Sequence, residues 1–177
     1  MYMDGIVAAA RGTGFTEAVA LTDLTLECDE RLRALCNPKD CLNHGQNWVC
    51  PPGCGSLESC VEKAAGFRKG VLLQSVTDIT PTDDMQIYKT LNRAHNERLR
   101  ALCESGGVAG RPYLALTSGG CILCAQCAYP EPCVEPERRV HSLSAFGIDV
   151  GKLCAKAALV YSFRPDKVYF TALLLVR

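Results

Sequence analysis

Four cysteines in residues 121–133 of this 177-residue chain follow a spacing that narrows what the segment can fold around. The segment reads Cys-Ile-Leu-Cys-Ala-Gln-Cys-Ala-Tyr-Pro-Glu-Pro-Cys, so two-residue gaps separate the first three cysteines and a proline-bearing gap precedes the fourth. Such spacing is typical of a loop that wraps an iron–sulfur cube, because three thiolates converge from one tight turn and the fourth closes the cage. A zinc site more often uses cysteine pairs separated by a longer knuckle.

The spacing predicts a four-iron cluster on this second cysteine loop, which we place at residues 119–137. The predicted ligands are Cys121, Cys124, Cys127 and Cys133. The last gap is longer than in the bacterial cluster runs that the loop otherwise matches. Zinc is the main alternative, because it also accepts four thiolates. Either metal would supply the order that a loop of this composition lacks.

The first cysteine segment, residues 28–60, predicts a second metal site with an open ligand set. Cys36, Cys41 and Cys50 have the clearest loop character. The two prolines after Cys50 make the backbone rigid and have no N–H to donate. Cys54 is nearest in sequence for the fourth position. The alternatives are Cys28, Cys60, Cys133 from the other loop, or a cluster with three thiolates and one exposed iron.

We expect the other cysteines, the histidines and the single tryptophan to differ in burial and in their distance from the metal sites. Cys103 and Cys154 fall at apolar positions of predicted helices, so we expect both to be buried small hydrophobes. His95, on a polar helix face, is expected to be exposed, and His44 to face solvent from the first segment. Trp48 lies two residues before Cys50 and is expected to shield the first site from water.

Composition indicates an ordinary globular protein apart from its 12 cysteines. Hydrophobic residues make up 48%, charged residues 21%, and the formal net charge is zero, so nothing favours a nucleic-acid or membrane partner. The apolar stretch at residues 168–176 is too short to span a bilayer, and no basic region precedes the first apolar run. We expect a cytoplasmic protein, where dense cysteines more often bind metal than form disulfides.

The remaining pattern predicts alternating helices and strands. Strands are expected at 17–27, 71–76, 111–118 and 167–176, and helices at 3–11, 56–67, 149–161 and from a cap at Asp83 or Asp84 to Cys103. Residues 28–54 are expected to be irregular. The fold class is therefore α/β or α+β, one domain over 1–177 with a small mixed sheet, flanking helices and two cysteine-rich loops. The closing strand either lies inside the sheet or pairs across a homodimer.

One seven-residue sequence occurs twice. Glu-Arg-Leu-Arg-Ala-Leu-Cys stands at residues 30–36 and again at 97–103, upstream of each cysteine region. Duplication of a cluster-binding half is one interpretation. The residues that follow the two copies do not match, so chance reuse of a helix-favouring segment is the preferred interpretation.

Four stretches together resemble a known family. They lie at residues 41–52, 119–127, 132–136 and 144–150, and they combine Cys-Pro-Pro, the triple-cysteine loop and Gly-Ile-Asp-Val. This combination resembles the bacterial and archaeal "predicted metal-binding protein" family, domain of unknown function 2284. The resemblance runs from about Gly5 to the final strand.

The resemblance implies a soluble metal protein of iron–sulfur type, common in anaerobes. The family's usual cysteines fall here on Cys36, Cys41, Cys50, Cys121, Cys124, Cys127 and Cys133. Seven thiolates are one short of two fully bound cubes, which raises the prospect of an unusual fourth ligand. This chain departs from the family pattern by its further cysteines at 28, 54, 60, 103 and 154, and Cys54 is the candidate for the missing ligand.

Three functions follow as hypotheses. The leading one is a cytoplasmic protein with two [4Fe-4S] clusters that transfers electrons at low potential to or from a larger redox enzyme. The second is an enzyme whose first-segment cluster has one open iron that binds a small substrate. The third is a structural zinc or metal-sensing module. No P-loop, nucleophile elbow or paired-histidine zinc motif is present in the sequence.

Overall fold

The closing strand β5, Lys167–Val176, lies in the middle of the sheet rather than at an edge. The computed structural model describes residues 2–80 and 85–177. Its other strands are β1 (Glu17–Leu21), β2 (Lys69–Asp78), β3 (Tyr113–Thr117) and β4 (His141–Ser142), in the order β1-β2-β5-β3-β4. The β3–β4 pair is parallel and the others are antiparallel. Of the two placements open to the closing strand, the internal one is therefore observed.

Helices cover both faces of this mixed sheet. They are α1 (Tyr2–Gly12), α2 (Glu30–Ala34), α3 (Leu57–Ala64), α4 (Met85–Glu104) and α5 (Val150–Lys156), with 3-10 turns at Pro136–Arg138 and Ser144–Phe146. Alternate residues of β2 and β5 point to opposite faces, so each face has its own apolar cluster. Leu73 and Leu174 pack in the cluster of α1 and α4, whereas Leu72 and Leu173 pack in that of α3 and α5. The predicted fold class is confirmed as a single α+β domain.

The predicted strand at residues 17–27 is too long. β1 ends at Leu21, because Asp23 adopts a left-handed φ of 54° that breaks the extended run. Leu24 then bonds through its backbone N–H to the carbonyl of Arg68. The prediction that residues 28–54 are irregular is also wrong in part, because α2 forms there with the Asp29 carboxylate accepting from the Arg31 N–H.

Two helices are shorter than predicted. α5 is capped by Asp149 but ends at Lys156, since Ala158 turns to a φ of 54°. α3 is capped by Ser56 and ends at Ala64, two residues before Gly66 takes a φ of 85°. The cap expected at Asp83 or Asp84 lies outside the described residues. Among the helices that the structure describes, none combines the length and apolar character needed to cross a bilayer.

The prediction that His95 is exposed is wrong. Its side chain is fully buried between the rings of Phe15 and Phe170, with centroids 5.4 and 5.8 Å away. Its Nδ1 lies 2.9 Å from the Ser75 hydroxyl. The sequence around it is polar because α4 turns its other face to solvent, while the apolar partners come from distant elements.

Candidate metal centre

The four cysteines of the second cysteine loop line one pocket. Its wall also includes residues of the first segment and two charged side chains; the lining consists of Trp48, Val49, Cys121, Leu123, Cys124, Cys127, Cys133, Glu135 and Arg139. The thiols are close enough to influence one another. Loss of solvation and then the neighbouring thiols of Cys121, Cys133 and Cys127 raise the pKa of Cys124.

The loop leaves the end of β3 through two glycines. Gly119 has a φ of 94°, a conformation that favours glycine, and it turns the chain away from the sheet. At Gly120 a Cβ atom would lie 3.1 Å from the Asn47 side-chain amide and 3.3 Å from Asn43 Oδ1. The absence of a side chain there lets the first segment pack directly on the start of the second loop.

Cys133 stays with its own loop. It lines the same pocket as the other three thiols and contributes to the raised pKa of Cys124. The turn that follows is held by Arg138, which makes ion pairs with Glu104 and, at 3.5 Å, with Glu135. The crossover of this cysteine to the first site, one of the alternatives from the sequence, has no support in this geometry.

Three thiols of the first segment form a second group. Burial and then the Cys41 thiol raise the pKa of Cys36. Burial is also the main reason that the pKa of Cys50 rises to about 11, with Cys41 and Cys36 adding to it against the lowering effect of a hydrogen bond from Asn47. These mutual effects place Cys36, Cys41 and Cys50 near one another.

Arg33 is a charged neighbour of the thiols that sequence reasoning missed. Its guanidinium donates to the carbonyls of Ala145 and, at 2.5 Å, Gly55, and its Nη1 lies 3.5 Å from Cys60 Sγ. It also lowers the pKa of both Cys36 and Cys50. One cation thus stands among the thiols of the first segment. The only signal in the sequence was a basic residue three positions before Cys36.

Cys54 lies against Cys60. The Cys60 thiol donates to the Cys54 carbonyl at 3.8 Å, and the Cys54 thiol donates to the Gly55 carbonyl at 3.8 Å. The neighbouring Cys60 sulfur and then burial raise the pKa of Cys54, whereas the Cys54 thiol and then Arg33 and Lys63 lower the pKa of Cys60 to about 6. Both residues are buried, at 3% and 0% exposure. The charge of Cys50 also raises the pKa of Cys54. The Cys50 carbonyl accepts a hydrogen bond from the Cys54 N–H at 3.0 Å.

Cys28 belongs to the same neighbourhood as Cys60. Its thiol is half-buried, and loss of solvation followed by the charge of Cys60 raises its pKa. A single backbone bridge pairs Cys28 with Ile148, beside the turn at Ser144–Phe146. The first segment therefore holds a group of three thiols and, next to it, the pair Cys54 and Cys60 with Cys28 at its side.

The two cysteine regions touch through aromatic side chains. Trp48 Nε1 donates to the Glu131 carbonyl at 2.8 Å, and the indole meets the Tyr129 ring edge-on at 5.1 Å. Gly53 completes the contact, since a Cβ there would lie 2.9 Å from Tyr129 Cε2. Trp48 was expected beside the first site, but it lines the pocket of the second.

The remaining candidates lie in other surroundings. Cys103 and Cys154 are buried in the two apolar clusters, as predicted, and Gln74 donates to Cys154 Sγ at 3.5 Å. His44 is half-buried, so it faces solvent only in part. His141 is buried as well, and desolvation lowers its pKa to about 4.

The donor set of the second cysteine loop consists of four thiols that line one pocket. Within residues 2–80 and 85–177, no three cysteine, histidine or carboxylate side chains gather closely enough to chelate a single ion. A tetrahedral zinc ion needs thiolates about 3.8 Å apart, given Zn–S bonds of about 2.3 Å. In an iron–sulfur cube each thiolate binds a different iron. The four thiolate sulfurs therefore lie around the whole cluster and farther apart than around a single ion. Four thiols that line one pocket are compatible with that arrangement.

The comparison with known families gives one match. A family model described as "Predicted metal-binding protein (DUF2284)" matches residues 20–176 of the chain. This span contains both cysteine regions and every strand after the first part of β1. No curated protein and no solved structure matches the chain.

Proposed function

The chain belongs to the predicted metal-binding protein family DUF2284, and from this premise we propose that it holds two [4Fe-4S] clusters and transfers electrons at low potential. Such a cluster accepts and releases one electron at a time, with a potential set by charge, hydrogen bonds and solvent exposure. The proposal includes a reducing compartment such as the cytoplasm, where the 12 cysteines stay available to metal. It also includes a larger redox enzyme as the partner.

This proposal rests on one observation: residues from both cysteine regions line the same pocket. Trp48 and Val49 line the pocket of the second loop and directly precede Cys50 of the first segment. Only Val49, fully buried, separates the indole from Cys50 along the chain. Two thiol groups this close suit a short internal relay, which neither site alone would provide.

The second site is the better-defined one. Cys121, Cys124, Cys127 and Cys133 would hold its cluster, and the indole of Trp48 would keep water from one side. Arg139 lines the same pocket and would compensate part of the negative charge of four thiolates. Glu135, opposite in sign, is drawn toward Arg138 by an ion pair of 3.5 Å.

The first site has three grouped thiols. Cys36, Cys41 and Cys50 would hold its cluster, with Arg33 as the nearby cation. Cys54 remains the candidate for the fourth position that the sequence suggested, since it lies next to Cys50. Cys60, whose thiol donates to the Cys54 carbonyl at 3.8 Å, lies beside it.

Exposed apolar side chains beside the cysteines support a protein partner. Leu35 precedes Cys36, Leu42 follows Cys41, and Val134 follows Cys133. Their exposures are 63%, 98% and 69%. Large apolar side chains at such positions serve transient docking, which brings a partner's redox centre close to the cluster ligands.

The test is metal analysis of protein purified without oxygen. About eight irons per chain with equal acid-labile sulfide are expected, together with an EPR signal that appears on reduction by dithionite. Cys127→Ser and Cys41→Ser should each reduce the iron by about half, because each removes a ligand from one site. Cys154→Ser is the matched control and should keep all the iron. Stoichiometric zinc without iron would overturn the proposal in favour of a structural or metal-sensing module.

The second candidate function, an enzyme with one open iron, gains support from the Cys54 thiol, which donates to the Gly55 carbonyl at 3.8 Å. If Cys54 keeps this arrangement, the first site has only three protein thiolates. Cyanide then serves as a probe, because it binds an iron that lacks a protein ligand. A change in the EPR signal of the Cys127→Ser variant on cyanide addition supports this function, and an unchanged signal contradicts it.

A further inference from the structure

A cleft of about 330 Å³ lies between the C-terminal part of α4 and strand β3. Helix α4 contributes Arg100, Cys103 and Glu104 to its wall, and β3 contributes Tyr113 and Ala115. None of the predicted metal ligands lines it. Its volume is within the range of small-molecule sites in proteins, which begins at about 300 Å³. Neither electron transfer nor an open iron makes use of this cleft.

One face of α4 carries polar side chains toward the sheet. Successive members of the set Asn92, Asn96, Arg100 and Glu104 are four residues apart and are therefore neighbours on the helix surface. Asn96 is only 1% exposed, and Asn92 Nδ2 would lie 3.6 Å from a Cβ atom at Gly119, just beyond β3. This polar stripe thus begins near the end of β3 and ends in the cleft. A helix face packed on a sheet is normally apolar, so buried polar residues there need a separate reason.

The guanidinium of Arg100 lines the cleft without a carboxylate partner in the part of the chain that the structure describes. Its Nε is buried and has no hydrogen-bond acceptor among residues 2–80 and 85–177. Glu104, one turn further along α4, is paired instead with Arg138, which also makes an ion pair of 3.5 Å with Glu135. A buried donor without an acceptor costs free energy, and a charged donor costs more.

We propose that this cleft binds a small organic monocarboxylate on Arg100. The planar guanidinium offers parallel N–H donors that match the two oxygens of a carboxylate. Arg138 is already compensated by its two glutamates, so Arg100 supplies the one positive charge that remains for a ligand. A ligand with a second negative charge would lie close to Glu104, which lines the same cleft.

The rest of the wall suits an apolar ligand body. Ala115 and Val140 are 1% and 3% exposed, so both lie at the inner side of the cleft. The ring of Tyr113 adds a flat surface beside them. A carboxylate attached to a compact apolar group would therefore place its charge on Arg100 and its carbon skeleton on these three side chains.

This inference goes beyond the proposed electron transfer and does not depend on it. The cleft and the pocket of the second cysteine loop are nevertheless neighbours, because Arg138 lines the first and Arg139 lines the second. Carboxylates also bind exposed iron. Iron and sulfide are therefore measured on every sample, so that loss of a cluster is not mistaken for loss of the carboxylate site.

The experiment is calorimetric titration of the full chain, purified without oxygen, with benzoate at low ionic strength. We expect saturable binding at one site with a Kd of about 1 mM or lower. Benzamide has the same shape without the charge and should bind at least about tenfold more weakly. Inorganic phosphate should also bind more weakly than benzoate. The proposal is overturned if benzoate does not saturate a site, or if benzamide or phosphate binds as well as benzoate does.

Variants of α4 assign the site to the cleft. Arg100→Met keeps an apolar stem but removes the charge, so benzoate should bind at least about tenfold more weakly, with iron and sulfide unchanged. Arg100→Lys keeps the charge without the paired donors and should lose only part of the affinity. Arg93→Gln, an exposed arginine on the same helix, is the matched control and should bind benzoate normally. Equal affinity in Arg100→Met and the unmodified protein would place the carboxylate elsewhere and refute the proposal.

Stability without ligand separates a binding role of Arg100 from a structural one. Because its guanidinium lacks a partner in the described chain, Arg100→Met should leave the melting temperature unchanged or raise it. Benzoate should raise the melting temperature of the unmodified protein and of Arg93→Gln, but not that of Arg100→Met. A clear drop in the melting temperature of ligand-free Arg100→Met would contradict the assignment of Arg100 to a ligand.

Discussion

The indole of Trp48 meets the ring of Tyr129 edge-on, with centroids 5.1 Å apart and planes at 79°. The residues are 81 positions apart in the chain, counted as 129 minus 48, and they come from the two different cysteine regions. The same indole donates to the Glu131 carbonyl at 2.8 Å. This contact joins the two cysteine regions.

The Trp48 contact should stabilise both loops. Trp48→Phe keeps a ring against Tyr129 but removes the donor to Glu131, so we expect a loss of about 1 kcal/mol and a melting temperature lower by about 2–4 °C. A chelator should also remove metal from the second site faster. Tyr129→Phe retains the ring pair and is the control. Equal melting temperatures for Trp48→Phe and the unmodified protein would contradict this role.

Arg139 should raise the reduction potential of the second site. A cation near thiolates favours the more negative, reduced state, so Arg139→Gln should lower the potential by tens of millivolts, roughly as expected for one partly screened charge. Redox titration followed by EPR measures this shift. Arg164→Gln is the control, because Arg164 is paired with Asp166 at 2.8 Å and lies outside the pocket. A potential that moves equally in both variants would speak against a local effect.

His95 should make stability depend on pH below neutrality. Burial, and then the charge of Arg98, lower its pKa to about 3. The unfolded chain, with a histidine pKa of about 6.5, binds this proton first, so stability is complete above pH 6.5 and falls as the pH drops toward 3. His95→Phe removes the titration but keeps a ring between Phe15 and Phe170.

Urea unfolding at pH 7 and pH 5 tests this expectation. The stability advantage of the unmodified protein over His95→Phe should shrink by about 2 kcal/mol between the two pH values, from 1.5 pH units at about 1.4 kcal/mol each. His141 is also buried with a lowered pKa, but it is common to both proteins and cancels in the difference. Parallel changes in the two proteins would show that His95 titrates normally.

Gly147 should hold α2, and with it Arg33, against the rest of the domain. It has a φ of 64°, and a Cβ there would lie 2.5 Å from the Asp29 carbonyl oxygen. Asp29, the cap of α2, also donates its N–H to the Gly147 carbonyl at 2.8 Å. Gly147→Ala should therefore cost at least about 2 kcal/mol and loosen the first site.

A glycine in α1 offers the matched control for this substitution. Gly5 has open space where a Cβ would stand, so Gly5→Ala should stabilise the protein by up to about 1 kcal/mol. Chemical unfolding of both variants gives the free energies, and iron content reports the first site. Full iron and full stability in Gly147→Ala would contradict the close packing seen at Asp29.

Local patterns in the sequence determined much of the scaffold. Strand-favouring residues and short apolar runs predicted the four longest strands, and Ser56 and Asp149 were identified as helix caps because a cap acts within one turn. The cysteine spacing predicted which thiols share the second loop. These features depend on neighbours a few residues away, so a linear pattern contains them. Strand and helix ends were less accurate, because backbone turns such as that of Asp23 leave no reliable sign in composition.

The repeated heptapeptide shows what the sequence alone could not decide. Residues 30–36 and 97–103 are identical, yet Leu35 is 63% exposed and the equivalent Leu102 is fully buried. Cys36 stands among thiols, while Cys103 packs in an apolar cluster. Both copies lie in or next to helices, as their local propensity dictates, but the surroundings of each copy come from distant parts of the chain.

The sequence by itself determined the order of the elements and the cysteine spacing on which the proposed metal sites rest, because propensity and ligand spacing act over short stretches. Only the tertiary structure decided that β5 lies inside the sheet, that His95 is buried, and that Trp48 faces the second loop. It also decided that Arg33 stands beside Cys60 and that the Cys60 thiol donates to the Cys54 carbonyl. These relationships join residues far apart in sequence, and the free energy that holds them comes from packing and charge contacts that exist only once the chain has folded.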